Sequence, residues 1–214
     1  MVFRLTDDLV FPAPELADDD GLLAVGGDLS VERLKLAYRM GIFPWFSDDT
    51  PILWYSPHKR FVLFPAKLKT SKSLRKTIRS ARFTITFNQA FKEVILACAE
   101  MKRKDQPGTW ITADMQFAYM ELHKNGHAHS IEVWCKGDLV GGLYGVQTGN
   151  IFCGESMFSS VSDASKIALS WLCSNKSFVL IDCQFYTEHL ESMGAEYISR
   201  EEYMKLVALN SVSL

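Results

Sequence analysis

The chain has 214 residues, of which 48% are hydrophobic and 22% charged. This composition supports a folded core and excludes a disordered tail, a collagen-like repeat or a disulfide-stapled miniprotein. The net charge is only −2, but 13 Lys and Arg against 2 Asp and Glu fall within residues 59–104, and the segments on either side are acidic. The sequence therefore predicts one strongly basic region on an otherwise acidic protein.

The N-terminal part is predicted to begin as loop and to form a small domain. Proline and acidic residues favour turns over residues 11–21. Ser30 is a good N-cap for a helix over residues 31–40, which Gly41 would end. Short apolar strands are predicted at residues 52–55 and 61–64. A boundary near residue 62 gives a small domain of residues 1–62 and a larger domain of residues 63–214.

In the larger domain, helical and strand patterns alternate along the chain. Helices are predicted over residues 71–80, 88–101, 112–125, 162–173 and 187–193, and strands over residues 83–87, 130–135, 139–147, 150–153 and 179–183. Short turns containing glycine join the three central strands into an antiparallel meander, in which Gly141, Gly142 and Gly145 are typical of bulges. This order of elements predicts an α/β fold of mixed α+β type, with a mixed sheet covered by helices.

The cysteines and the start of the chain point to a soluble, cytoplasmic protein. The five cysteines include no C-x-x-C pair and lie in apolar runs, as reduced buried thiols do: Cys98, Cys135, Cys153, Cys173 and Cys183. Asp7 and Asp8 stand where a secretory signal would be apolar. No apolar stretch approaches the roughly 20 residues that span a bilayer, so no membrane association is expected.

The basic region contains a predicted helix with one cationic face. Lys72, Arg75, Lys76 and Arg79 share this face, and no acidic residue occurs between Lys59 and Lys92. Crowded like charges repel unless a polyanion neutralises them. A solvated helix face is the alternative, but the segregation of charge favours a surface for a nucleic-acid backbone.

Two tryptophans and three polar residues are candidates for a site. Trp45 and Trp110 lie at junctions between loops and elements, where they would either stack on bases or cap the core. Glu155 interrupts an apolar stretch, and Asp182 and Gln184 end an apolar strand, where α/β proteins commonly hold ligands. From the residues alone, each of these polar groups is equally compatible with structural hydrogen bonding and with catalysis.

The sequence does not favour a metal site or a cysteine nucleophile. His123, His127, His129 and Cys135 suggest zinc, but no second cluster at ligand spacing completes a site, so no metal is expected. A nucleophilic Cys153 or Cys183 paired with His129 lacks a local activating signature. The glycines of the meander do not form a phosphate loop or a pyrophosphate cradle, which argues against a bound nucleotide or coenzyme A.

Motifs in a fixed order extend over nearly the whole chain. They are GLLAVGGDLS at residues 21–30, GIFPWF at 41–46, LWYSP at 53–57, GTWIT at 108–112, GHAHSIEVW at 126–134, LVGGLYGV at 139–146, FCGESMFS at 152–159, ASK at 164–166 and LIDCQ at 180–184. In this order and spacing the chain resembles the leucyl/phenylalanyl-tRNA–protein transferases.

The resemblance implies a small N-terminal domain followed by a domain like the GCN5-related N-acetyltransferases. It also implies transfer of Leu or Phe, sometimes Met, from aminoacyl-tRNA to proteins whose N-terminal residue is Arg or Lys, which creates an N-degron for protein degradation. Because the ester is already activated, no cofactor is expected, and the protein is expected to be a monomer. Leu143 and Leu172 stand where relatives carry Met or Phe, which leaves the preference between Leu and Phe open.

The resemblance also implies roles for individual residues. Trp45 and Trp110 match residues that hold the 3′-terminal adenosine, and Glu155, Asp182 and Gln184 match the polar centre. The pocket for the transferred side chain matches Leu143, Phe152, Met157, Leu169, Leu172 and Ile181. The tRNA acceptor stem would be gripped by Lys72, Arg75, Lys76, Arg79 and Arg82.

The predicted mechanism centres on proton removal from the attacking amine. Asp182, directly or through Gln184, would orient the acceptor's α-ammonium and help to remove its proton, while Gln184 fixes the geometry. Glu155 would anchor either the acceptor's basic side chain or the aminoacyl amine. Alternatively, the terminal ribose hydroxyl of the tRNA shuttles the proton. The competing functions are a coenzyme A-dependent N-acyltransferase and a non-catalytic tRNA-binding module.

Overall fold

The structure is a computed structural model that describes residues 2–101 and 109–210. Its smaller sheet has four short strands in the order β1-β2-β4-β3. They are β1 (Phe3–Leu5), β2 (Leu22–Gly26), β3 (Phe43–Pro44) and β4 (Leu53–Tyr55). Strand β1 is parallel to β2, and the other pairs are antiparallel.

The larger sheet has seven strands and forms the centre of the molecule, in the order β11-β5-β10-β9-β8-β7-β6. They are β5 (Lys59–Leu63), β6 (Thr84–Phe87), β7 (Ala128–Cys135), β8 (Asp138–Thr148), β9 (Ile151–Ser159), β10 (Leu180–Gln184) and β11 (Glu196–Ser199). The β9–β10 pair is parallel and every other pair is antiparallel. This confirms the mixed α/β class and the predicted meander, although β9 continues six residues beyond the predicted end at Cys153.

In the described part of the chain, seven α-helices cover the sheets. They are α1 (Val31–Arg39), α2 (Lys72–Arg79), α3 (Phe91–Glu100), α4 (Ala113–Lys124), α5 (Ala164–Asn175), α6 (Glu188–Ser192) and α7 (Arg200–Asn210). The Ser30 hydroxyl accepts the Arg33 amide at 3.3 Å, as a helix N-cap does. Gly41 ends the helix region with a φ of +68°, which glycine adopts readily. Both predictions for α1 are confirmed.

Five of these strands and helices were not predicted: β1, β2, β3, β11 and α7. Strand β3 has only two residues, one of which is a proline. The chain start was expected to be loop, yet β1 and β2 form there. Strand β2 reads LLAVG, a short apolar run without the alternation that marks a half-buried strand. Strand β11 runs directly into α7, so neither has a turn signal at that junction.

Helices α1, α3 and α4 pack on one face of the larger sheet and α5 packs on the other. The core on the first face also includes Leu23 and Trp54 of the smaller sheet, packed together with Tyr144 of β8. Residue 62 lies inside β5, which pairs with both β10 and β11. The division into domains at this position stays a prediction. No helix in the described part of the chain is long and apolar enough to cross a bilayer.

Candidate active site

A bulge in β9 turns Glu155 out of the regular strand pattern. Between Gly154 and Ser156, β9 has one residue more than its partner β8, and the extra residue is Glu155. Opposite it stands Gly145, where a Cβ atom would lie 2.2 Å from the Cys153 carbonyl oxygen. The bulge therefore requires glycine at this position, as predicted. Bulges commonly re-aim a side chain next to a functional site.

A second bulge lies in the neighbouring strand. The register of β10 against β5 shifts between Asp182 and Gln184. Gln184 has a φ of +61°, in the left-handed region that is uncommon for residues other than glycine. Its amide donates to Asp182 Oδ1 at 2.9 Å, and its side-chain Nε2 donates to Glu155 Oε1 at 2.9 Å. The two bulges thus bring the candidate polar residues of both strands together.

Glu155 is a buried carboxyl with three hydrogen-bond donors. Tyr38 of α1 donates to Oε1 at 2.8 Å, Tyr119 of α4 donates to Oε2 at 2.9 Å, and Gln184 is the third donor. Burial raises the pKa of Glu155 to about 7, although the three hydrogen bonds act in the opposite direction. A carboxyl with this pKa can bind and release a proton near neutral pH.

Asp182 lies behind this centre in a closed ion pair. Arg60 Nη2 donates to Asp182 Oδ2 at 2.8 Å, Arg60 Nε lies 3.0 Å from both carboxylate oxygens, and Tyr203 donates to Oδ2 at 2.9 Å. The Asp182 side chain has no exposed surface and does not line the cavity beside Gln184. Asp182 is therefore connected to the cavity through the backbone amide of Gln184, and its own carboxylate does not line the cavity.

Several contacts besides Asp182 hold the Arg60 guanidinium in place. Its guanidinium lies over the rings of Phe43, at 4.7 Å, and Tyr203, at 4.5 Å, and Nη1 donates to the Gly41 carbonyl at 3.1 Å. Burial alone would lower the pKa of Arg60, but the neighbouring Asp182 carboxylate raises it overall. This arginine stays charged and fixes the position of the carboxylate.

A cavity of about 780 Å³ opens beside Glu155 and Gln184. All six residues predicted to hold the transferred side chain line it: Leu143, Phe152, Met157, Leu169, Leu172 and Ile181. Trp45 and Trp110 line the same cavity. Phe185, which was not predicted, also lines it, with its ring 4.8 Å from that of Trp45. The structure thus brings the predicted apolar, aromatic and polar residues to one place, apart from Asp182.

Sequence reasoning missed four residues that support this centre: Tyr38, Arg60, Tyr119 and Tyr203. Tyr38 and Tyr119 lie within predicted helices and were given no polar role, and Arg60 was counted only as part of the basic region. Arg60 has only 2% of its surface exposed, but it follows Lys59 at the start of the strand KRFVL, before the apolar residues, so the sequence carries no clear signal of its burial.

The cationic helix face predicted from the sequence is present on α2. Lys72, Arg75, Lys76 and Arg79 are exposed and line a surface concavity of about 540 Å³, while Leu74 anchors the helix to the core. Arg82 follows in an exposed position, and we call these five cations the basic face. Among the described residues, none of the five forms an ion pair with a carboxylate.

The histidine and cysteine residues considered for a metal site or a nucleophile have surroundings that do not favour either chemistry. Residues 2–101 and 109–210 contain no group of three or more His, Cys, Asp or Glu side chains that could hold a metal ion. His129 pairs with Asn88 at 2.8 Å, and burial lowers the pKa of His129 to about 4. Burial also raises the pKa of Cys153 and of Cys183, so both stay thiols at neutral pH. This disfavours the cysteine nucleophile.

Comparisons with solved structures give loose similarities. FemX aligns with a TM-score of 0.48 and 10% identity over 82% of this chain and 70% of that chain. A GCN5-related N-acetyltransferase from Kribbella flavida aligns with a TM-score of 0.39 and 9% identity over 74% of this chain and 57% of that chain.

Comparisons of sequence are far closer. The family model described as leucyl/phenylalanyl-tRNA protein transferase matches residues 62–208, and the model of the N-terminal domain of that family matches residues 27–58. A protein of Syntrophobacter fumaroxidans named leucyl/phenylalanyl-tRNA–protein transferase is 57% identical over 98% of this chain and 91% of its own length. One of the same name from Flavobacterium johnsoniae is 53% identical over 96% of this chain and 99% of its own length. The chain belongs to the leucyl/phenylalanyl-tRNA–protein transferase family and is an aminoacyltransferase.

Proposed function

We propose that the protein transfers Leu or Phe, and also Met, from aminoacyl-tRNA to the N-terminal Arg or Lys of acceptor proteins. The observation that supports this most directly is the composition of the cavity. One space joins an apolar floor, two tryptophans and a buried carboxyl that titrates near pH 7. An aminoacyl-adenosine end has a matching apolar side chain and a base that can stack, and the acceptor brings the amine that the carboxyl would deprotonate.

The apolar end of the cavity suits an aliphatic or aromatic hydrophobic side chain. Leu143, Phe152 and Ile181 on the sheet face Leu169 and Leu172 of α5, and Met157 is only half-buried. Methionine adapts its shape to its neighbours, so Met157 can accommodate side chains of different shape. Trp45 and Trp110 supply the rings on which the terminal adenine would stack.

The chemistry requires one new bond and one proton acceptor. The neutral α-amine of the acceptor attacks the ester carbonyl carbon, the amide C–N bond forms and the bond to the ribose oxygen breaks. Glu155, as a carboxylate, takes the proton from the α-ammonium, whose ordinary pKa is about 7.7–8.0. As the amide forms, the attacking nitrogen gives up a second proton. The leaving ribose oxygen takes up one of the two protons, from this nitrogen or from the Glu155 carboxyl, and the other is released to water.

Gln184 and Asp182 then act in sequence as positioning residues. Gln184 holds Glu155 Oε1 through its amide nitrogen, and Asp182 holds the Gln184 backbone in its left-handed conformation. This refines the role predicted for Asp182, because its carboxylate is fully engaged by Arg60, Tyr203 and the Gln184 amide. The alternative proton route through the ribose hydroxyl leaves these positions unchanged.

The basic face supports the tRNA part of the proposal. Its cations would neutralise phosphates of the acceptor stem and release counterions, which strengthens binding at low salt. Because its proposed donor is aminoacyl-tRNA, we place the enzyme in the cytoplasm and its products in an N-degron pathway of protein degradation, and we expect it to act as a monomer. Family membership favours the transferase over the coenzyme A-dependent enzyme and the binding module.

The experiment is transfer of radiolabelled leucine from leucyl-tRNA to a peptide that begins with Arg, beside an otherwise identical peptide that begins with Ala. We expect label on the Arg peptide alone, and no label after ribonuclease treatment of the donor. A folded protein that binds leucyl-tRNA but labels neither peptide would support the binding module instead.

A further inference from the structure

An exposed aromatic patch with acidic neighbours adjoins the cavity. Tyr186 and Tyr197 have 43% and 52% of their surface exposed, although large aromatic side chains usually lie inside. We propose that this patch binds the cationic side chain of the acceptor's N-terminal residue. The proposal rests on the proposed function and adds the site that distinguishes Arg and Lys from neutral N-terminal residues.

Contacts between aromatic rings fix the geometry of the patch. The Tyr186 and Tyr197 rings are nearly parallel, with centroids 6.3 Å apart and an interplanar angle of 15°. Buried Phe61 packs against both, at 5.3 Å from Tyr186 and 4.9 Å from Tyr197. Two tyrosine faces are thus presented in a set orientation. The face of a tyrosine ring attracts a guanidinium or ammonium group, and Arg also stacks on it.

The charges beside these rings are negative. The Tyr186 hydroxyl donates to Glu191 Oε2 at 2.8 Å, and exposed Glu188 precedes Glu191 in the same short helix α6. Glu196 of β11 precedes Tyr197, but consecutive residues of a strand point to opposite faces and Glu196 is paired with Lys67, so the negative charge beside the rings comes from Glu188 and Glu191. Carboxylates next to ring faces complement a cationic peptide, and they repel the phosphates of a tRNA. The patch and the basic face therefore suit opposite partners.

The patch is continuous with the candidate active site. Tyr186 lines the cavity together with Gln184, two residues earlier in the chain. An acceptor whose α-amine reaches Glu155 can therefore extend a long cationic side chain along the cavity wall towards Tyr186. This division of contacts gives Glu155 the acceptor's α-amine and gives the patch the acceptor's side chain, so Glu155 would fill neither of the two roles considered for it from the sequence.

The test measures transfer kinetics with saturating leucyl-tRNA and three peptides that begin with Arg, Lys or citrulline, the neutral analogue of Arg. We expect Tyr186→Ala to raise the KM for the Arg peptide about threefold to fivefold, which is the effect of removing an exposed cation–π interaction. Glu191→Gln should raise it by a similar factor, and the double variant by about tenfold. The KM for the citrulline peptide should change little in each variant.

Matched controls separate the patch from general damage. Phe117→Ala removes another exposed ring, on α4, and Asp138→Asn removes another exposed carboxylate, at the start of β8; both should keep the KM of the starting protein. Tyr186→Phe keeps the ring and should lose less than Tyr186→Ala. The KM for leucyl-tRNA, measured with saturating Arg peptide, should be the same in all variants.

The two proposals fail in different ways. If the starting protein labels the Arg peptide but Tyr186→Ala and Glu191→Gln leave its KM unchanged, the patch is not the acceptor site and the proposed function stands. If the variants raise the KM for the citrulline peptide equally, the patch does not recognise charge, and the proposal is wrong. If the folded starting protein labels no peptide, the proposed function and the patch fall together.

Discussion

The buried pair of Arg60 and Asp182 predicts a large loss of stability when either partner is neutralised. Arg60 is 2% exposed and Asp182 is 0% exposed, and three contacts of 2.8–3.0 Å join them. Removing one member of such a pair typically costs about 3–5 kcal/mol, because the other charge stays buried without its partner. We expect a loss of this order for Arg60→Met and for Asp182→Asn.

The two losses should not add. In the double variant Arg60→Met with Asp182→Asn, no unpaired charge is left in the core, so its loss should fall short of the sum of the single losses by about 2–3 kcal/mol. Urea unfolding followed by tryptophan fluorescence measures all four proteins. With a slope of about 2–3 kcal/mol per molar urea, each single change lowers the midpoint by roughly 1–2 M.

An exposed pair provides the control for this cycle. Lys124 and Glu121 lie on the surface of α4, and Lys124→Met should cost less than about 1 kcal/mol. Additive losses in the double variant, or a loss below about 1 kcal/mol for Arg60→Met, would refute the ion pair and leave Asp182 available as a base. In transfer assays, Asp182→Asn should lower kcat without changing the shape of the pH profile, because Glu155 is the group that titrates.

Three further predictions concern the cavity, the basic face and pH. Met157→Ala should change the ratio of leucine to phenylalanine transferred in a competition assay, since one methylene in an apolar pocket discriminates by about 1–3 kcal/mol; an unaltered ratio would place the transferred side chain elsewhere. Replacing Lys72, Arg75, Lys76 and Arg79 with alanine should make the affinity for tRNA depend less steeply on salt concentration. The slope of log affinity against log salt should decrease by about 0.9 for each phosphate that the variant no longer neutralises, and an unchanged slope would identify α2 as a solvated helix face. The pKa of Glu155 is raised from 4.5 to about 7, so the folded state retains a proton that the unfolded state releases, and this carboxyl alone should lower the free energy of unfolding by roughly 3 kcal/mol as pH rises from 4.5 through 7. Because the lowered pKa of His129 acts in the opposite direction over nearly the same range, the quantity to measure is the difference between the starting protein and Glu155→Gln; an equal pH dependence in both would exclude this carboxyl as a source.

Much of the cavity was predictable because its residues carry local signals. Apart from Met157, which lies beyond the predicted end of β9, the six apolar residues predicted for the pocket belong to elements whose patterns are clear in the sequence. The resemblance supplied their common role. Glu155 was conspicuous as an acidic residue in an apolar stretch. The glycine opposite it predicted a bulge, although not that Glu155 would be the extra residue.

The supports of the polar centre were not predictable in the same way. Tyr38 and Glu155 are 117 residues apart, and Arg60 and Asp182 are 122 residues apart, so no local pattern joins either pair. The left-handed conformation of Gln184 is imposed by tertiary structure, since the residue type does not favour it. Burial of Asp182 by its partners, which decides its role, depends on these long-range contacts.

The contacts around Glu155 and Arg60 join the segments matched by the two family models. Tyr38 and the Gly41 carbonyl come from residues 27–58, while Glu155 and Asp182 come from residues 62–208, and Arg60 lies between the two matches. Phe43 and Trp45 of the first segment also line the cavity. A fragment beginning at residue 62 would thus leave Asp182 without its arginine and Glu155 without one of its tyrosine donors. Neither segment alone contains all the residues of the polar centre around Glu155 and Asp182. A gene fission or a domain exchange at this junction would therefore abolish the transfer reaction even if both pieces folded.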